Sequence, residues 1–212
     1  LQAAAKIIAI KGFWGMSLQD ISDELGITEA ALYHYISSKD DLLNMVLSEG
    51  YDTPDADEYN AVTAAVIDAD GHRVYYYPRY CLNIVRYNLQ RPEMVQLYSV
   101  LNGEALSPEH PAHSFFIGRH MRNWEMICSM NWILPEYVDE ERFYDLYTLA
   151  MSAMDGLQYR WLGDDSMNLL EQWISISDII FPPSEWAGYT DPSEYESASA
   201  GCLLPKTLSA RQ

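Results

Sequence analysis

Three hydroxyl side chains, Ser17, Thr28 and Ser38, each stand immediately ahead of a short run with helical spacing, and Gly26 separates the first run from the second. A hydroxyl in that position accepts N–H groups that a helix start leaves unpaired, and glycine takes up the left-handed conformation that closes a helix. Residues 17–47 are therefore expected as short helices joined by tight turns. Leu18, Ile21 and Leu25 recur at helical spacing in the first of them. Thr28 opens a short helix through Tyr35, and Ser38 caps another in which Leu42, Leu43, Val46 and Leu47 face inward. Upstream, "LQAAAKIIAIKGFWGMS" reads as a helix with Ala4, Ile7 and Ile8 on one face, stopped near Gly12.

Helical periodicity dominates the rest of the chain, and no stretch alternates convincingly as a strand. Pro54 and clustered acids in "YDTPDADEYN" mark a domain boundary near residues 50–58. Further helices are expected over roughly 75–90, from Pro92 through Ala105, over 110–133, over 140–162 and over 166–181. Residues 182–212 hold Pro182, Pro183, Pro192 and Pro205 among small residues, and read as a tail that is flexible or held by docked aromatics such as Trp186 and Tyr189. The expected fold is all-α, of about nine helices. Its expected domains are 1–50, 51–181 and the tail 182–212.

Two short capped helices with a glycine turn form a helix-turn-helix, in which the second helix enters the DNA major groove. Gly26 supplies the turn; Leu18, Ile21, Leu25, Ile27 and Leu32 supply the packed face. Thr28 opens the reading helix, where backbone N–H groups attract phosphate. Ala30 and Ala31 are small enough for close approach to base edges, and Glu29 is placed to accept from a cytosine amino group. Tyr33, His34 and Tyr35 carry polar tips suited to phosphates and sugars, and Lys39 supplies a cation. With Ser17 at the start of the preceding helix, these nine residues are the candidate DNA contacts.

The stretch Gly26, Thr28, Leu32-Tyr33-His34-Tyr35-Ile36 and Ser38-Lys39-Asp40-Asp41-Leu42-Leu43 resembles the N-terminal domain of TetR-family transcriptional regulators, with Ile36 where that family usually has phenylalanine and Glu29 at a site often basic. The segments "RPEMVQLYSVLNGEALSPEHPAHSFF" and "MSAMDGLQYRWLGDD" resemble the family's effector-binding and dimerisation domain. The resemblance implies a ligand-responsive regulator, a repressor that binds a palindromic operator as a homodimer and is released by a small molecule.

The residues themselves allow that organisation. Phe143, Tyr147, Ala150, Met154, Leu157 and Trp161 form an apolar stripe at 3–4 spacing, and Leu170, Trp173 and Ile174 add to a second helix that is apolar over a broad arc. Two such helices from each of two subunits make a four-helix interface, so these nine are the candidate dimer contacts. Tyr76, Tyr77, Tyr80, Tyr87, Tyr98, Phe116, Met121, Trp124, Ile127 and Cys128 are the candidate effector contacts, apolar walls with a few hydroxyls. They suit an apolar or aromatic ligand. The excess of acids over arginines in 51–181 points toward a cationic one.

Charge sets the alternative. The net charge is −18, and residues 1–50 hold Lys6, Lys11 and Lys39 against seven acidic side chains. Few phosphate contacts mean a shallow salt dependence. They also leave open an all-α ligand- or protein-binding module whose helix-turn-helix does not bind DNA. The chain starts inside a helical pattern, so a basic arm ahead of Leu1 is one expected source of further cations.

Enzyme chemistry has no support: there is no Gly-rich phosphate loop, nucleophile elbow or HExxH, and no cofactor is expected. His110, His113 and His120 are better read as satisfied imidazoles than as metal ligands, because Pro111 interrupts a regular helix between them and neighbouring aromatics surround His120. Three cysteines without a CxxC, and no apolar run long enough to cross a membrane, lead to the expectation of a reducing, cytoplasmic location.

Overall fold

The first helix, α1 (Gln2–Gly15), does not stop at Gly12 but bends there: Gly12 has φ 73° and ψ 168°, and the helix resumes beyond it. That combination is open almost exclusively to glycine. In this computed structural model, which describes residues 1–51 and 65–190, α2 (Leu18–Leu25), α3 (Glu29–Leu32) and α4 (Lys39–Met45) follow, and α4 widens into a π-type turn over Val46–Tyr51. A hairpin comes next, β1 (Ala65–Ile67) with β2 (Arg73–Tyr75). Six more helices complete the described residues: α5 (Tyr77–Leu89), α6 (Pro92–Glu104), α7 (His113–Cys128), α8 (Glu140–Gly163), α9 (Leu169–Ile180) and α10 (Pro183–Trp186).

The caps form where the hydroxyls stand. Ser17 Oγ accepts from Asp20 N at 3.1 Å while Asp20 Oδ2 accepts from Ser17 N at 2.9 Å, a reciprocal capping box. Thr28 Oγ1 accepts from Ala31 N at 3.1 Å, and Ser38 Oγ accepts from Asp41 N at 3.0 Å. Gly26 closes α2 at φ 66°.

The fold is all-α as expected, and the small hairpin is an addition to it. Each strand is only three residues long, too short to show alternation. What specifies it is the turn: Asp68 Oδ1 accepts from Asp70 N at 3.0 Å and from His72 N at 2.7 Å, and Gly71 sits at φ 83°. The helix expected from residue 110 begins at His113 instead, because residues after Ala105 are spent on tight turns around Pro111.

Packing groups residues 1–51 with 91–123, and residues 65–90 with 124–190. In the first unit Ala4, Ile7, Ile8, Phe13, Leu18, Ile21, Leu32, Leu42, Leu43, Val46 and Leu47 share a core with Leu97 and Leu101 of α6. In the second, α5, α8 and α9 bury Tyr77, Leu82, Tyr147, Ala150, Met154 and Trp173 together. Trp186 and Tyr189 dock on that core: the Trp186 ring lies 5.0 Å from Phe181 and 5.7 Å from Tyr189. Most of the expected boundary segment, and of the tail with Cys202, lies outside the described residues.

Candidate nucleic-acid interface

Local chemistry builds the exposed face. Leu32 and Ile36, four apart, are both buried, so the backbone between them keeps helix-like turns past the end of α3: Tyr35 N donates to Leu32 O at 2.9 Å. With that pair inward, Tyr33 and Tyr35 must point outward, and they are 51% and 76% exposed. Thr28, Ala30 and His34 are exposed beside them, Glu29 and Ala31 are half-buried, and Ser17 is exposed at the start of α2. Of the expected inner face, Leu18, Ile21 and Leu32 are buried, whereas Leu25 and Ile27 are half-exposed: they flank the Gly26 turn, where the chain leaves the packed side.

The electrostatics of this unit are unusual for a DNA-reading domain. Lys6 Nζ pairs with Glu24 at 2.5 Å and Lys11 Nζ with Asp20 at 2.6 Å. Lys39 Nζ donates to the Met16 carbonyl at 2.7 Å and lies 4.5 Å from the centre of the Phe13 ring. All three lysines of residues 1–51 are thus engaged by their own chain. For Lys39, one ammonium N–H ties α4 to the end of α1, and two remain for another acceptor.

Asp20 accepts hydrogen bonds from Lys11 and from Ser17, which hold its pKa down at about 2. A carboxyl depressed in the folded state stabilises the fold above its ordinary value of 3.8, and that contribution fades as the pH falls toward 2. An Asp20 carboxyl titration by NMR should give a midpoint near 2, and Asp20→Asn should flatten the stability of the domain between pH 4 and pH 2. A midpoint near the ordinary value would show that the capping box is not closed in solution.

Behind this face, the Gly12 bend exposes the N–H groups of Phe13 and Trp14, and Glu104 at the end of α6 collects both, at 2.7 Å and 3.4 Å. His110 is buried against the same carboxylate, with Nε2 3.5 Å from Glu104 Oε2 and Nδ1 accepting from Ala112 N at 3.1 Å. Burial holds its imidazole below the usual pKa, against the opposing pull of Glu104. His113 Nδ1 is 2.8 Å from Ala105 O. His113 is thus held by local structure, whereas His110 is held through Nδ1 and its buried Nε2 makes no hydrogen bond among the described residues.

The expected effector contacts divide between the units. Tyr98 and Phe116 pair in the first, ring centres 5.7 Å apart, and Met121 is half-exposed there. Tyr76, Tyr77, Tyr80, Tyr87, Trp124, Ile127 and Cys128 belong to the second. Tyr77 is wholly enclosed, with Tyr80, Trp132, Phe143 and Phe181 around its ring. Tyr76, Tyr80 and Ile127 are buried too, whereas Cys128 is exposed.

Phe143, Tyr147, Ala150, Met154, Leu157, Trp173 and Ile174 are buried within their own unit, so they have almost no surface to offer a second subunit. Trp161 and Leu170 are half-buried against the same core. The apolar stripe marks the side that packs on α5, and the outward side of α8 and α9 carries Leu149, Tyr159 and Ile179, exposed by 53%, 72% and 77%.

Compared with known protein families, residues 1–46 match the model of the bacterial regulatory proteins, tetR family. A comparison with curated proteins finds no match. The matched segment spans the caps, the Gly26 turn, the exposed Tyr33–Tyr35 face and the start of α4 described above. Residues 1–46 of this chain thus carry the N-terminal domain found in bacterial regulatory proteins of the tetR family, a family of DNA-binding transcriptional regulators.

Proposed function

We propose that the protein is a ligand-responsive repressor that binds a palindromic operator as a homodimer. The observation that carries this reading is the exposed Tyr33-His34-Tyr35 run directly behind α3, inside the segment that matches the family. Ser17, Thr28, Glu29, Ala30, Ala31, Tyr33, His34, Tyr35 and Lys39 face the operator. Two such faces read half-sites roughly 34 Å apart, or a multiple of it. The dimer forms through the outward side of α8 and α9, where Leu149, Gly156, Tyr159 and Ile179 lie and where a side chain added at Gly156 would meet nothing within 4 Å. A small-molecule effector in the second unit changes the separation of the two faces. A coupling of about 1–3 kcal/mol changes operator affinity roughly 5- to 150-fold.

The engagement of all three lysines supports a second reading, a ligand- or protein-binding module that does not hold DNA. Selection of bound fragments from genomic DNA, followed by gel retardation, separates the two. Under the leading reading a recovered palindrome is retarded, and Tyr33→Ala weakens it roughly tenfold by removing one contact in each half-site. The slope of log K against log salt is no steeper than about −5, the value for six lysines in a dimer at roughly −0.9 each. Absence of any retarded palindrome at physiological salt favours the second reading.

A further inference from the structure

Where α7 ends and α8 begins, Trp124, Glu140, Glu141 and Tyr144 line an open depression of about 440 Å³. Its composition is unlike that of an apolar pocket. Two aromatic rings meet at right angles, Trp124 and Tyr144, with centres 4.9 Å apart and an interplanar angle of 78°. Tyr147 backs Trp124 at 5.3 Å, and Phe143 lies 5.6 Å away, so the indole is held in a fixed orientation. The two carboxylates stand in the first turn of α8, beyond the Asp139 cap. Both glutamates are exposed and neither has a cation within ion-pair distance among the described residues. The thiol of Cys128, a residue exposed at the end of α7, is pushed up by desolvation and then by the Glu140 charge.

An aromatic face attracts a cation through its quadrupole, and a carboxylate does so through its charge; the carboxylates repel an anion, and a neutral guest gains neither attraction. The volume suits a small organic molecule, within the roughly 300–1,000 Å³ common for such sites. We infer that this depression is a binding site for organic cations, quaternary or aromatic ammonium compounds, and that such a cation is the effector; the second half of this inference rests on the regulator reading above. The net charge of −18 raises the local concentration of any cation and so works in the same direction.

The test uses the full chain and benzyltrimethylammonium, with 3,3-dimethylbutan-1-ol as a neutral probe of similar branching. Calorimetry should detect binding of the cation and not of the alcohol. Glu140→Gln/Glu141→Gln should weaken it roughly tenfold, and Tyr144→Leu should weaken it by a similar factor. The glutamine pair lies at the surface and keeps the fold, which circular dichroism checks. No heat with the cation up to millimolar concentration, or binding that the glutamine pair leaves intact, overturns the site. Cation binding that leaves operator affinity unchanged overturns its role as effector. Operator retardation measured without cation reports on the regulator reading separately.

Discussion

Gly12→Ala is expected to destabilise the N-terminal unit by about 3 kcal/mol, because it combines two costs at one atom. The first is the backbone: φ 73° with ψ 168° lies in a region that an alanine enters only under strain. The second is steric. A Cβ on Gly12 would stand 2.3 Å from Glu104 Oε1, so the carboxylate must swing away. A glutamate can do that easily, but this one accepts from Phe13 N and Trp14 N, and moving it leaves the Phe13 N–H part-buried without its acceptor. Charge-assisted hydrogen bonds of this kind are worth roughly 1.5–3 kcal/mol. Glu104→Ala, which removes the carboxylate and keeps the glycine, should therefore lose about half as much. Urea unfolding followed by the NMR signals of residues 1–51 reads both. A Gly12→Ala variant within about 0.5 kcal/mol of the parent would show that the bend is not required.

The same glycine shows where sequence reading stops. From the sequence it looks like a helix stop, since nothing within the helix says whether the chain continues beyond it. The answer lies about ninety residues away, in Glu104, whose carboxylate satisfies the N–H groups that the bend uncovers. Ser17, Thr28, Ser38 and Gly26 were legible because a cap is decided within four residues. The stripe from Phe143 to Leu157 was legible as a buried face, but not as to what buries it. Periodicity gives the direction of an apolar side and is silent about whether a neighbouring helix or another subunit covers it. The exposed Tyr33 and Tyr35 follow from the spacing of Leu32 and Ile36 alone. Which cations remain available beside them does not, because Lys39 meets the Met16 carbonyl across 23 positions of chain. The Trp124–Tyr144 depression was half visible: Trp124 stands among the effector candidates, while Glu140 and Glu141 looked like ordinary first-turn acids.

Tyr159→Glu/Ile179→Glu should turn the protein into a monomer and lower operator affinity by two orders of magnitude or more. Both side chains lie outward in the second unit, exposed by 72% and 77%, so charging them leaves the core of α5, α8 and α9 intact. A monomer binds one half-site. A dimer holds its second reading face near the second half-site at a high effective concentration, which is worth roughly 10²–10⁴ in affinity without any new contact. The effect is expected to be large because each half-site meets few free cations: Lys6 and Lys11 are paired with acids of their own chain, and Lys39 keeps only two ammonium N–H groups. Light scattering reads the assembly and retardation reads the DNA. Ala150→Glu is the informative contrast. It buries a charge within the second unit, at a residue with no exposed surface, and should unfold that unit rather than release a folded monomer. If Tyr159→Glu/Ile179→Glu remains dimeric, subunit contact lies elsewhere on the molecule. If it is monomeric with unchanged operator affinity, the two reading faces do not act together, and the palindromic mode of binding falls with them.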